Sequence, residues 1–256
     1  MITVWDVTIP KLTGDEPRKA YIYLPDSYNE NAEQRYPVLY MFDGQNVFYD
    51  ADATYGKSWG MKEYLEYTHT PIIVAAVACN QHPDNSRLEE YSPFSFKDSK
   101  YGKINGLGHL TMKWFINSFK PSIDETFRTM PDRKHTFIAG SSMGGLMSLY
   151  AITKYNHIFS RGGLLSPSIW VATKRLTQLI QNAAIGPDTV AYMDYGSNEE
   201  DHHDIMLRQF PKVTTHLLKK GVYLTSRIVP NGTHCEACWE RQLPIFMSSL
   251  LYDLKI

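Results

Sequence analysis

The sequence predicts a three-layer α/β protein: a mainly parallel central sheet, helices on both faces and an antiparallel edge at the N-terminus. Three observations predict it. Short apolar, β-branched runs recur along the 256 residues. Many lack the polar alternation of a one-sided sheet, as strands buried on both faces do. From residue 61 onward, segments of helical spacing separate most of them, the pattern of strand–helix–strand units.

Taken in order, Ile2–Ile9 and Ala20–Leu24 have no helix between them, so they read as the antiparallel edge pair. Val38–Phe42, Ile72–Ala78, Thr136–Ala139, Gly163–Leu165, Thr189–Asp194 and Val222–Val229 read as the remaining strands. The expected helices are Met61–Tyr67, Leu110–Phe127 with an interruption at Pro121, Met143–Tyr155, Lys174–Asn182, Asp204–Lys220 and Glu236–Leu254. There is no internal repeat, low-complexity tract or Pro/Gly/Ser linker, so residues 1–256 read as a single domain.

Composition narrows the partners. Hydrophobic residues make up 43% and charged residues 21%, and the formal net charge is -1. Near-neutrality argues against nucleic acid or an anionic membrane as a main partner. No apolar run is long enough to span a bilayer. The opening MITVWDVTIP lacks the basic and apolar regions of a secretory signal, so a cytoplasmic location is expected. Three cysteines are too few for a disulfide framework. Cys235 and Cys238 form one C-x-x-C; redox and zinc readings lack a second pair, and buried or half-buried free thiols are the expectation.

In α/β folds, reactive groups gather at the carboxyl ends of the strands. Strand Thr136–Ala139 ends in Gly140-Ser141-Ser142-Met143-Gly144, which fits G-x-S-x-G with Ser142 central. A sharp strand-to-helix turn lifts that side chain off the sheet at the cost of backbone strain, and the glycines relieve crowding. Ser142 then sits at a helix N-terminus, where free N–H groups and the dipole favour negative charge. Centring the frame on Ser141 fails, because it would need glycines at Ala139 and Met143. The bland alternative is a glycine-rich turn with Ser142 as an N-cap.

A serine nucleophile needs a base. Of nine histidines, His234 follows the last strand, in a turn-rich loop that opens the final helix. It is last in the chain order Ser, acid, His; a helix-capping or surface role is the alternative. The acid should lie between them, after a strand, to hold the imidazole tautomer. Asp194 ends the strand; Glu199 is the first carboxylate beyond the Gly-Ser-Asn turn, with Glu200 and Asp201 as rivals. For the oxyanion, the candidate donors are the N–H groups of Met143 and of Gln45, the latter in the Asp43-Gly44-Gln45 loop after Val38–Phe42. Among nearby aromatics (Phe48, Trp59, Tyr91, Phe94 and Trp170), Trp59, Tyr91 and Trp170 are the candidates to line an acyl or sugar pocket, with core packing as the alternative for each.

The segments YPVLYMFDGQNVF, EEYSPF, HTFIAGSSMGGLMSLYA, LLSPSIW, YMDYGSNEED and NGTHCEACW occur in that order. Together they resemble the esterase D and enterochelin-esterase-like branch of the α/β hydrolases, from about Tyr36 to the C-terminus. The resemblance implies Ser142 as nucleophile, His234 as base and Glu199 as acid. It implies a serine carboxylesterase acting through an acyl-enzyme, without metal or cofactor, on acylated sugars, feruloyl-type esters, siderophore esters or S-formylglutathione. Some related members are acyltransferases. One departure is His234-Cys235-Glu236, where relatives often have His-Asn-Glu. A transferase with the same triad, a non-catalytic binding protein on this scaffold and a metal-dependent hydrolase are the rival readings. The expected partner is a small-molecule or oligosaccharide ester. The loops that would choose it, 47–59 and 80–103, carry no readable code, and the oligomeric state, a homo-oligomer included, is not legible.

Overall fold

A computed structural model describes residues 1–84, 86–199 and 203–254. Its main sheet takes β1 (Ile2–Thr8), β2 (Pro17–Tyr23), β3 (Val38–Phe42) and β4 (Ile73–Val77). A small hairpin, β5 (Phe96–Asp98) with β6 (Gly102–Ile104), stands apart. The main sheet resumes with β7 (Thr136–Ser141), β8 (Arg161–Leu165), β9 (Val190–Gly196) and β10 (Tyr223–Val229). The order is β1-β2-β4-β3-β7-β8-β9-β10. β1–β2 and β2–β4 are antiparallel and every other pairing in this sheet is parallel. The expected α/β architecture and antiparallel N-terminal edge are both present.

Side chains alternate across a strand, so a strand buried on both faces feeds two cores. In β3, Leu39 and Met41 enter one core while Val38, Tyr40 and Phe42 enter the other. Helices cover both faces. Met143–Lys154, Thr173–Asn182 and His203–Lys219 bury Leu146, Leu176, Ile180 and Val213 in the larger core. Met61–Thr68 and Leu243–Leu250 bury Leu65, Phe246 and Met247 in the other.

Two helices differ from expectation, both at prolines. The segment 108–126 runs through Pro121 without a stop. A π-helical turn, Phe115–Phe119, joins Gly108–Trp114 to Lys120–Thr126, and the Lys120 N–H donates to Phe115 O, five residues back. Such a widened turn absorbs the residue that lacks an N–H and would crowd the preceding turn. At the C-terminus the reverse holds. Glu236–Glu240 and Leu243–Leu250 are separate helices, with Pro244 in the first turn of the second. The hairpin β5–β6 and the helix Ser86–Glu90 lie in a stretch read as a loop without a code.

Candidate active site

β7 runs into the helix Met143–Lys154 through Ser142, whose backbone is at φ 57°, ψ -122°. A non-glycine residue there is strained and persists only where its surroundings hold it. Three hydrogen bonds do so: the Ser142 N–H donates to Leu165 O (3.0 Å), and the Ser142 carbonyl accepts from Leu146 N (3.0 Å) and Ser168 N (3.0 Å). Gly140 is required sterically, and Gly144 is tightly packed. A Cβ on Gly140 would lie 2.8 Å from the Gly144 carbonyl carbon, and one on Gly144 would lie 3.1 Å from Phe42 Cβ. Ser141 is the last residue of β7, in ordinary register with Leu165.

His234 and Glu199 come together where the loops after β9 and β10 cross. Gly196 and Gly232 touch there: a Cβ on Gly196 would lie 2.3 Å from Gly232 O. The Asn198 N–H donates to Gly232 O (2.8 Å) and the Asn231 N–H to Ser197 Oγ (2.8 Å), which stitches the two loops together. His234 Nδ1 then lies 3.0 Å from Glu199 Oε2. The other carboxylate oxygen accepts from Ser166 Oγ (2.6 Å) and the Gly196 N–H (2.7 Å). Glu199 is buried, and burial by itself would raise its carboxyl; the hydrogen bond and charge of His234 outweigh this, with the Ser166 and Gly196 donors, and hold it below the usual carboxylate range. The rivals Glu200 and Asp201 lie outside the described residues. Asp194 points elsewhere: its carboxylate accepts from Tyr192 OH (2.6 Å) and the Ser166 N–H (3.2 Å), and burial pushes it up to about 6.

The Ser142 hydroxyl lies 3.4 Å from Ser168 Oγ and makes no hydrogen bond to His234. The two side chains nonetheless face one cleft; hydrogen bonds of this kind commonly tighten only in the substrate complex. The Met143 N–H opens its helix. Gln45 lies in the buried turn Gly44–Asn46, its side chain pinned by Cys79 and Thr54.

The cleft has two halves, and Ser142 and His234 line both. One, of about 620 Å³, has Gln45, Asn46, Asn80, Arg87 and Glu236 among its walls. The other, of about 520 Å³, has Leu88, Phe96, Tyr101, Met143 and Trp170 among its walls, along with Arg87, Asn198, Glu199 and Thr233. A smaller hollow of about 240 Å³ continues the first half past Gln45, Cys79 and Asn80. Of the three aromatic candidates, only Trp170 lines the cleft. Trp59 is a core residue, packed against Trp239 and Phe246 at ring distances of 5.9 and 6.3 Å. Tyr91 is buried against Phe42, and its hydroxyl accepts from the Asp43 N–H (3.2 Å). Both are large rings whose burial in a core outweighs a place at a surface.

Sequence reasoning passed over several residues that the fold brings here. Arg87 grips Asp43 bidentately, Nε to Oδ1 at 2.8 Å and Nη2 to Oδ2 at 2.7 Å. Asn46 donates to the buried Glu236 (3.0 Å), whose carboxyl burial raises, with Asp43 adding to the effect. Ser166, Ser168 and Trp239 fell inside quoted segments, so a signal existed; Arg87 had none. All three cysteines are free thiols, Cys79 and Cys238 buried. Among the described residues, no three His, Cys, Asp or Glu side chains are grouped to hold a metal ion.

A family model described as "Putative esterase" matches residues 13–246. The chain belongs to that esterase family. This esterase is 27% identical over 207 residues to the uncharacterized protein YbbA of Bacillus subtilis, covering 79% of this chain and 74% of that one. It is 24% identical over 259 residues to an endo-1,4-beta-xylanase/feruloyl esterase of Xylanibacter ruminicola; the match takes in 97% of this chain but 31% of that protein. In fold, it resembles an IroE-like serine hydrolase from Shewanella oneidensis, with a TM-score of 0.74 at 21% identity over all of this chain and 81% of the other. Hydrolysis of carboxylic esters is therefore the activity class of this esterase.

Proposed function

We propose that the esterase is a serine carboxylesterase in which Ser142, His234 and Glu199 form the triad. The observation that carries the reading is the buried Glu199 carboxylate, 3.0 Å from His234 Nδ1, in a cleft shared with the strained Ser142. With Nδ1–H directed at Glu199, the neutral imidazole presents Nε2 as the base. Nε2 takes the Ser142 proton as Oγ bonds to the ester carbonyl carbon. The oxyanion is held by the N–H groups of Met143 and Gln45. The C–O bond to the alcohol then breaks, and His234 returns the proton to that oxygen. Water, deprotonated by His234, cleaves the acyl-enzyme and restores Ser142. In this reading a fluorophosphonate probe labels Ser142 in the folded protein; a folded protein that resists labelling would overturn it.

The two halves of the cleft suggest how an ester lies. The acyl group fits the half walled by Trp170 and Phe96, and a hydroxylated alcohol fits the half walled by Gln45, Asn46 and Asn80. Feruloyl-type and other acylated sugars suit that division, and the feruloyl esterase relative supports it. Trp170→Ala should raise KM for a feruloyl ester by about tenfold, the value of one aromatic contact, while KM for an acetyl ester of the same alcohol changes little. Steady-state kinetics on the two esters checks this, and equal effects on both would argue against the orientation.

A further inference from the structure

The structure assigns a positioning role to the pair Ser166 and Trp239: we propose that the indole N–H of Trp239 commits the Ser166 hydroxyl proton to Glu199 and so sets the lower pH limit of catalysis. The inference rests on the triad reading above and extends it by two residues that do not touch the reacting atoms.

An indole Nε1–H can only donate, whereas a serine hydroxyl rotates and can donate or accept. Trp239 Nε1 lies 3.0 Å from Ser166 Oγ. Ser166 must therefore accept there, and its single proton is directed to Glu199 Oε1, 2.6 Å away. That oxygen also takes the Gly196 N–H, which leaves Oε2 to His234. The same indole stands edge-on to the imidazole, ring centres 5.2 Å apart at 83°. Ser166, Trp239 and Glu199 are all buried, so each bond acts in a medium of low dielectric. Ser166 itself sits at φ 41°, held by its N–H bonds to the Asp194 main chain (3.0 Å) and carboxylate (3.2 Å). A non-glycine residue kept there, at the end of β8, is strain retained at a site.

Other ionisable groups face the pair. Asp194 and Tyr195 of β9 feel the charge of Glu199, and Glu236, on the helix after His234, feels that of the imidazole. None of them donates to Glu199. Without the Ser166 hydroxyl the carboxylate keeps one donor fewer on Oε1 and becomes more basic. The Glu199–His234 pair then holds a proton to higher pH, and a protonated pair cannot accept the proton of Ser142. The sign is the same whichever partner carries that proton.

The test is the pH profile of kcat/KM for p-nitrophenyl acetate. Ser166→Gly keeps the backbone free to adopt φ 41° and removes the hydroxyl. Its acid limb should move up by about one pH unit, the worth of one charge-assisted hydrogen bond, with activity recovering at alkaline pH. Trp239→Phe keeps an aromatic ring beside His234 and removes the N–H together with part of the indole volume; its limb should move the same way by less. A loss of thermal stability or turnover with both limbs unmoved would overturn the proposal, since damage to packing alone would not shift the profile. Ser142→Ala separates the two readings. If it is inactive while both variants keep the wild-type acid limb, the positioning role falls and the triad stands. If Ser142→Ala stays active, the triad falls, and this proposal with it.

Discussion

Replacing Ser142 with alanine should lower turnover of p-nitrophenyl acetate by about 10⁵-fold or more, the loss typical of a missing serine nucleophile. Ser141→Ala should keep most of the activity. The contrast follows from the backbone rather than from the side chains, which are identical. Ser142 occupies φ 57° at the turn and lines both halves of the cleft, while Ser141 finishes β7 in register with Leu165. Parallel assays of the two purified variants check it. Near-wild-type turnover by Ser142→Ala would remove the serine mechanism, and equal losses would move the fault to the turn itself.

The second large effect is expected at Glu199. Glu199→Gln changes almost no volume, yet kcat near neutral pH should fall by about 10⁴-fold, because a buried amide dictates the imidazole tautomer. Oε1 accepts from Ser166 and the Gly196 N–H, so the amide oxygen is held there. The NH₂ group must then face His234 Nδ1, where it donates. Nδ1 becomes an acceptor, the ring proton moves to Nε2, and the nitrogen facing Ser142 is no longer a base. Glu199→Asp keeps the charge but shortens the reach, and should be the milder variant. If Glu199→Gln kept wild-type kcat, the acid would have to be sought in Glu200 or Asp201.

Much of this was legible in the chain because its signals are local. The apolar runs of β3, β4, β7 and β9 are buried on both faces, and their lack of alternation says so. G-x-S-x-G marks Ser142 because strand, helix and glycines must all meet within five residues. Chain order pointed to His234 and to the carboxylates Glu199, Glu200 and Asp201, without choosing among the three. What joins His234 to Glu199, the contact of Gly196 with Gly232, depends on two loops 36 residues apart and leaves no periodic trace. Trp59 and Tyr91 were misplaced for a related reason. Near a cleft, a large ring can face the cleft or the core behind it, and composition does not distinguish them. Arg87 was invisible because its meaning lies wholly in Asp43, 44 residues earlier. The prolines show that one residue type can give opposite results: Pro121 is absorbed by a π-turn, whereas Pro244 opens a new helix.

The Arg87–Asp43 clamp has a bearing on how such an enzyme changes. Arg87 belongs to the segment 80–103 that walls the cleft, and Asp43 opens the turn that presents Gln45. A graft that exchanges this segment to alter substrate choice also cuts the guanidinium from Asp43 and leaves a buried carboxylate unpaired. In the proposed mechanism, where Gln45 holds the oxyanion, preference and rate are thus linked through two hydrogen bonds. Variation that keeps Arg87 is expected to explore new esters at little risk, whereas variation that loses it is expected to slow every substrate at once. Lineages of this fold that diversify their substrates would be expected to change the walls of the cleft around that arginine and leave the arginine in place.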